Sequence, residues 1–333
     1  MADIIKVLIV DDSPFIREAL KSILEQDPDI KVVGLAKNGR EALEAIRDSK
    51  PNVVTMDIKM PVMDGFDAIE AIMTEQPVPV IVVSTSEVDT VVRALNIGAM
   101  DFVSIRQGID EIARELVYKI KIASKVKALK RLRIKPLEKA YRTETSSAMK
   151  IIAIGVSTGG PQALQIVLSK LPQDLGAGIL IVQHMSKGFI EGMAEWLRAH
   201  SRLAIRVARE GDVLKPGMVL FAPDGCHMLI NYQGKIILQA DQESASVHIP
   251  SIDVTMKAVA EAYREHAIGV IMTGMGHDGV EGIRAIKKAG GKTISQDEHS
   301  SVIFGMNKLA IEAGSVDQVA SLDDLADAII RML

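Results

Sequence analysis

Lys150–Leu168, KIIAIGVSTGGPQALQIVL, is the stretch whose reading decides the fold. Its apolar run Ile151–Val156 ends at Ser157, glycines flank that serine, and a helix-type pattern opens at Pro161. β-prone residues, a glycine-rich turn and a proline at a first helical position read as strand, tight turn and helix. Such a turn exposes its central side chain at the carboxyl edge of a sheet. It also aims the unpaired N–H groups of a helix N-terminus at whatever binds there. Taken alone, Gly155–Gly160 fits either an exposed nucleophile or a phosphate cradle in a nucleotide-binding βαβ unit.

Other strand ends discriminate between the two. Gly178–Val182 reads as a buried strand followed by Gln183-His184, where a nucleotide site would want an acid for the ribose. Ala267–Met272 reads as another, followed by TGMGHDG, which carries Asp278. In a parallel sheet the carboxyl ends share one edge, so Ser157, His184 and Asp278 can converge from distant positions. A serine hydroxyl needs a base to take its proton, and the base needs an acid to fix its tautomer. Glycine-rich turns at Gly159-Gly160 and Gly274-Met275-Gly276 offer backbone N–H groups to an oxyanion. An α/β-hydrolase would place the acid before the histidine; His248, His266 and His299 form no such pair.

The preceding residues repeat the alternation of apolar run and amphipathic stretch. Strands are expected at KVLIV from Lys6 to Val10, with acids following, and at Lys31–Ala36, Val53–Met56, Val80–Ser84 and Phe102-Val103. Helices are expected at Pro14–Gln26, Gly39–Ser49, Gly65–Glu75 and Thr90–Ile97, with a longer one from Asp110. Five βα units predict a doubly wound parallel sheet with ligands at its carboxyl edge. Asp11 and Asp12 end the first strand and Asp57 the third. Three carboxylates on one edge repel unless a hard cation lies among them, and oxygen-only ligation suits Mg²⁺ with a phosphoryl group.

Bulk properties agree with two α/β domains. The 333 residues are 48% hydrophobic but only 3% aromatic, so Val, Ile, Leu, Ala and Met must fill the cores. A net charge of −4 gives no global pull toward nucleic acid or anionic membrane. One cysteine, Cys226, excludes an internal disulfide framework and a zinc ribbon. No apolar stretch approaches the roughly 18 residues of a membrane span, and MADIIKVLIVDD, with its short apolar run followed by two acids, is not expected to be a signal peptide. A cytoplasmic chain, without nucleic-acid binding or membrane insertion, and monomeric, is expected. Lys119–Arg142 is strongly basic, with Glu138 its only acid. It reads as the end of a helix followed by a linker, which divides the chain into residues 1–124, a linker at 125–148 and residues 149–333. Ile205–Gln239, with short β-like runs between Gly and Pro turns, is expected to be a small antiparallel excursion.

LIVDDSP, MDIKMPVMDG, PVIVVSTS and GAMDFV resemble, in order and spacing, a two-component receiver domain of flavodoxin-like fold. The resemblance implies Asp57 as phosphoacceptor, Asp11 and Asp12 as Mg²⁺ ligands beside it, Ser84 as the switch hydroxyl, Phe102 as the reorienting aromatic, and a histidine kinase as phosphodonor. That family usually has Lys-Pro after the fifth strand, where this chain has Ile105-Arg106. Asp57 is still expected to be phosphorylated, with a weakened conformational response.

GVSTGGPQAL, IVQHMSKGF, APDG, PSIDV, TGMGHDG and QDEHSSVIFGM resemble the catalytic domain of the CheB chemotaxis methylesterases. The resemblance implies the Ser157–His184–Asp278 triad, with Thr158 and Met275 in the site and Met275 acting through its backbone N–H. It implies hydrolysis of glutamate γ-methyl esters, and deamidation of glutamines, on the cytoplasmic helices of chemoreceptors. It also leads to the expectation that the unphosphorylated receiver blocks the serine edge. Four residues depart from the family: Ser186-Lys187 where Pro-Pro is frequent, Ile249 where a basic residue is usual, and Asn307 where proline is usual. Two rivals remain: a regulator whose second domain only binds a receptor or kinase, and a DNA-binding regulator. The triad argues against the first and the absence of a helix-turn-helix pattern against the second.

Overall fold

The computed structural model describes residues 4–85, 88–105, 112–126, 149–240 and 248–333. Arg106, Asp110 and most of the basic segment lie outside them. The chain divides into two compact units, Met1–Arg133 and Ile134–Leu333, a division that falls within the stretch read as a linker. Among the described residues no helix is long and apolar enough to cross a membrane.

The first unit alternates β1 (Ile5–Val10), α1 (Pro14–Leu24), β2 (Ile30–Ala36), α2 (Gly39–Ser49), β3 (Val53–Met56), α3 (Gly65–Glu75), β4 (Val80–Ser84), α4 (Val88–Ile97), β5 (Asp101–Ser104) and α5 (Ala113–Ala123). Its five strands are parallel in the order β2-β1-β3-β4-β5. Val53 and Val54 are fully buried, as are Val80 to Val82, because helices cover both faces of the sheet. Side-chain oxygens of Ser13, Asn38 and Asp64 cap α1, α2 and α3. Glycine is required at Gly65, where a Cβ would lie 2.2 Å from the carbonyl oxygen of Asp57.

The second unit continues with β6 (Lys150–Val156), α6 (Gly160–Lys170), β7 (Ala177–Gln183), α7 (Ile190–Ala199), β8 (Ala204–Val207), β9 (Met218–Phe221), β10 (Cys226–Ile230), β11 (Ile236–Ala240), α8 (Ile252–Tyr263), β12 (Ala267–Ile271), α9 (Val280–Lys288), β13 (Lys292–Gln296), α10 (Met306–Glu312), β14 (Gln318–Ala320) and α11 (Leu325–Arg331). Seven strands form one parallel sheet in the order β14-β13-β12-β6-β7-β9-β8. Strand order reverses at β6, and the crevice such a reversal opens is where α/β sheets bind ligands.

The antiparallel excursion is smaller than its sequence suggests. Among the described residues its antiparallel strands are the pair β10 and β11. Met218–Phe221 instead joins the main sheet, parallel to β7, and β8 closes that edge. The reason is burial: Val219, Leu220 and Phe221 are fully buried, and a continuous apolar run belongs inside a covered sheet.

Helix α8 brings the outer layer onto the site. Ile252, Met256, Val259 and Ala260 recur at helical spacing and are buried, with Ser251 as N-cap. Its first residue fits against the sheet only because Gly155 has no side chain: a Cβ there would lie 2.3 Å from Ile252 Cγ2. Gly155→Ala should therefore displace α8 and cost about 1–3 kcal/mol of stability. Thermal unfolding measures this, and an unchanged midpoint would contradict the packing argument.

Candidate active site

Three neighbouring strands deliver the three residues. Ser157 follows β6, His184 follows β7 on one side, and Asp278 lies in the turn after β12 on the other. The Ser157 N–H donates to the Thr273 carbonyl (3.0 Å) and the His184 N–H to the Val156 carbonyl (3.0 Å). Gln183 joins the two turns: its Nε2 donates to the carbonyls of Ser157 (2.9 Å) and His184 (2.8 Å). Gly160 makes room for that amide, since a Cβ there would lie 1.9 Å from Gln183 Oε1. The preceding Gly159 adopts φ +80°, a conformation that favours glycine.

His184 Nε2 lies 2.9 Å from Asp278 Oδ2, which leaves Nδ1 as the other ring nitrogen. Asp278 is buried at 9% exposure and saturated with donors. Its Oδ1 accepts from Ser251 Oγ (2.8 Å) and the Asp253 N–H (2.9 Å), and its Oδ2 also accepts from the Ile252 N–H (2.8 Å). Burial by itself would push this carboxyl up. The His184 hydrogen bond and charge, with the N–H groups of Asp253 and Ile252, outweigh it and hold the pKa at about 2. Asp278 is therefore a carboxylate at neutral pH, seated at the N-terminus of α8.

The seat is reciprocal. Asp253 Oδ1, in the first turn of α8, accepts from the N–H groups of Gly279 (2.9 Å) and Gly282 (2.6 Å) at the start of α9. The hairpin braces the same corner. Buried His227 accepts the Ser251 N–H on Nδ1 (3.1 Å), and Thr255 Oγ1 donates to the Met228 carbonyl (2.7 Å). Ser251, Asp253 and His227 were not singled out in the sequence as functional. The one available signal was the serine of PSIDV at a helix start, and the carboxylate it serves lies 27 residues away.

Thr158 is buried, and its carbonyl accepts from Thr273 Oγ1 (2.9 Å). Met275 lies in the glycine turn after β12. Gly274 lets that turn approach the serine, since a Cβ there would lie 2.7 Å from Ser157 Cβ. After His184, the loop Met185–Gly188 is held by Asp224 of APDG, whose Oδ2 accepts the Gly188 N–H (2.6 Å). Asn307, at the proline-like position, is fully buried; its Nδ2 donates to the carbonyls of Ile271 (3.1 Å) and Gln296 (3.1 Å). It occupies the first turn of α10, where proline is also tolerated.

In the first unit Asp11 is buried and Asp57 closely neighbours it. Ser84 Oγ donates to Asp57 Oδ1 at 2.7 Å. Burial raises the Asp11 pKa to about 6, reinforced by the charges of Asp57 and Asp12 and opposed by the Ser13 N–H. Burial also raises Asp57, against the Ser84 hydrogen bond. No set of three or more His, Cys, Asp or Glu side chains among the described residues stands at ligating geometry. The donor chemistry nonetheless suits a hard divalent cation: all-oxygen donors carry more negative charge than their surroundings neutralise. Ile105 packs against the apolar core that includes Val103, Ile112 and Leu116. Lys119 does not stand in for the missing lysine. Its Nζ is taken by Asp101 (2.8 Å), Glu115 (3.1 Å) and the Phe102 carbonyl (2.6 Å), and Phe102 is buried.

Residues 152–329 match the family model of the CheB methylesterase, and residues 7–117 that of the response regulator receiver domain. A protein-glutamate methylesterase/protein-glutamine glutaminase of Pyrococcus horikoshii is 42% identical over 342 aligned positions, covering 98% of this chain and 93% of that protein. One of the same description from Halalkalibacterium halodurans is 39% identical, covering 98% of each. The crystal structure of the Thermotoga maritima CheB methylesterase catalytic domain is 37% identical, with a TM-score of 0.54, covering 56% of this chain and 100% of that one. The chain thus belongs to the CheB methylesterase family, with a response regulator receiver domain ahead of the methylesterase domain.

Proposed function

We propose that this chain hydrolyses glutamate γ-methyl esters on the cytoplasmic helices of chemoreceptors, and deamidates receptor glutamines, through Ser157, His184 and Asp278. The observation that carries this reading is the His184–Asp278 hydrogen bond of 2.9 Å at strand ends flanking that of Ser157. Asp278, bound to Nε2, orients the ring and stabilises imidazolium. Nδ1 is then the nitrogen that takes the serine proton as Oγ attacks the ester carbonyl. The backbone N–H of Met275 and the turn at Thr158 supply oxyanion stabilisation. As the tetrahedral intermediate collapses, His184 returns the proton to the departing methoxide oxygen, releasing methanol, or to the amide nitrogen, releasing ammonia. Water then attacks the acyl-serine with His184 again as base, so one site serves both reactions.

Receiver domains take a phosphoryl group with Mg²⁺. In this one Asp57 is the acceptor, with a histidine kinase as donor, and Asp11, Asp12 and Asp57 would hold the ion. The ion supplies charge neutralisation at the transferring phosphoryl group. Ser84 is the hydroxyl that meets the phosphoryl oxygen, and Phe102 the aromatic that responds. Residues 1–124 form this regulatory domain, 125–148 the linker and 149–333 the esterase. Ile105 is committed to the apolar core and Lys119 to its acidic partners, so no lysine answers the phosphoryl charge from β5. The response to phosphorylation is accordingly weak.

Methanol release from methylated receptor membranes tests the esterase. Ser157→Ala should lower kcat by about 10⁴-fold or more; near-normal turnover would refute the assignment. A small phosphodonor with Mg²⁺ should raise wild-type turnover by less than the roughly 5- to 150-fold typical of allosteric coupling, and Asp57→Ala should remove that rise. A full-sized activation abolished by Asp57→Ala would contradict the weakened switch.

A further inference from the structure

A general base must keep its ring in one plane while it receives and returns a proton. The hydrogen bond from His184 Nε2 to Asp278 fixes one edge of that ring. A second contact lies on its face. The imidazole of His248 stacks on His184, with centroids 4.3 Å apart and planes inclined by 22°. His248 comes from none of the three strand ends. It lies three residues before Ser251, whose hydroxyl holds Asp278, so one short turn touches both the base and its acid.

The chemistry of the stack follows from the charge of each ring. His248 is half-buried, and burial is the main cause that pulls its pKa down. The neighbouring His184 and His277 rings act in the same direction, and Asp278 opposes them. At neutral pH it therefore presents an uncharged aromatic face. When His184 takes the serine proton its ring becomes cationic, and a neutral π-face at stacking distance favours that form. The flat contact also restricts rotation of the His184 ring out of the plane set by Asp278.

We infer that His248 is a positioning residue of the esterase: its ring covers one face of His184, holds the proton-transfer plane and stabilises the imidazolium formed as Ser157 attacks. This deepens the reading of Ser157, His184 and Asp278 as the triad and rests on it. The role is a property of a flat aromatic ring, so phenylalanine should fill it and alanine should not.

The test measures kcat and KM separately for methanol release by the full chain, as wild type, His248→Ala and His248→Phe, with Ser157→Ala in parallel. His248→Ala should lower kcat by about 3- to 10-fold, the scale of one aromatic contact, with KM within about twofold. His248→Phe should restore kcat to within about twofold of wild type. Wild-type kcat in His248→Ala would overturn the inference, as would a His248→Phe variant as slow as the alanine one. If His248→Ala does not fold, His248→Leu, which fills the space without a flat ring, takes its place: it should be slower than His248→Phe by about 3- to 10-fold, and equal kcat values would overturn the inference. Turnover surviving in Ser157→Ala would instead remove the triad reading beneath the inference.

Discussion

One buried carboxylate organises the esterase domain. Asp278 lies at 9% exposure, where an unpaired charge would cost several kcal/mol. It is tolerated because the N-terminus of α8 supplies two backbone N–H donors, and the cap residue Ser251 a hydroxyl. Everything local is arranged around this seat. Gly155 brings the first residue of α8 against the sheet, and the hairpin fixes the cap through His227. Asp253 returns the favour to the start of α9, so the two helix ends lock each other. The fourth donor position on the carboxylate faces His184, so the seat that packs α8 also holds that ring.

The receiver meets the same problem without the same solution. Asp11, Asp12 and Asp57 are neighbours at a strand edge, and burial lifts Asp11 to about 6. A carboxyl whose folded pKa lies above its usual 3.8 loses stability as pH rises between the two values. At neutral pH the pocket therefore carries an unrelieved cost, which a hard cation can offset. In the esterase the compensating charge is built from backbone. Here the first unit offers no such set of backbone donors to Asp11, whose one backbone donor that counts against burial is the Ser13 N–H. Ile105 removes the one cationic side chain that a receiver of this kind usually adds.

Both folds were legible because the strands are buried on both faces. Continuous runs such as Ile151–Val156 and Ala267–Ile271 stand out, and their carboxyl ends name the site. That Ser157, His184 and Asp278 stand at the ends of neighbouring strands was readable for that reason, as was the placement of Asp11, Asp12 and Asp57. Met218–Phe221 was harder: a short run between Gly and Pro turns looks like a hairpin strand until its parallel partner β7 is known. The residues that support the triad were not legible. Ser251, His227 and His248 reach the site through contacts 24 to 64 residues distant in sequence, and local pattern carries no signal for these. The first helix was read to Gln26 although it ends at Leu24, because a helix end is decided by capping rather than periodicity.

The account depends on Asp278 being an ionised acceptor on both of its oxygens. An amide at this position offers one acceptor oxygen and turns its N–H₂ toward donors, so neither the α8 seat nor the His184 ring is held. The most direct test is kcat for methanol release by Asp278→Asn. The account predicts a fall of about 10⁴-fold. A kcat within about tenfold of wild type would contradict it.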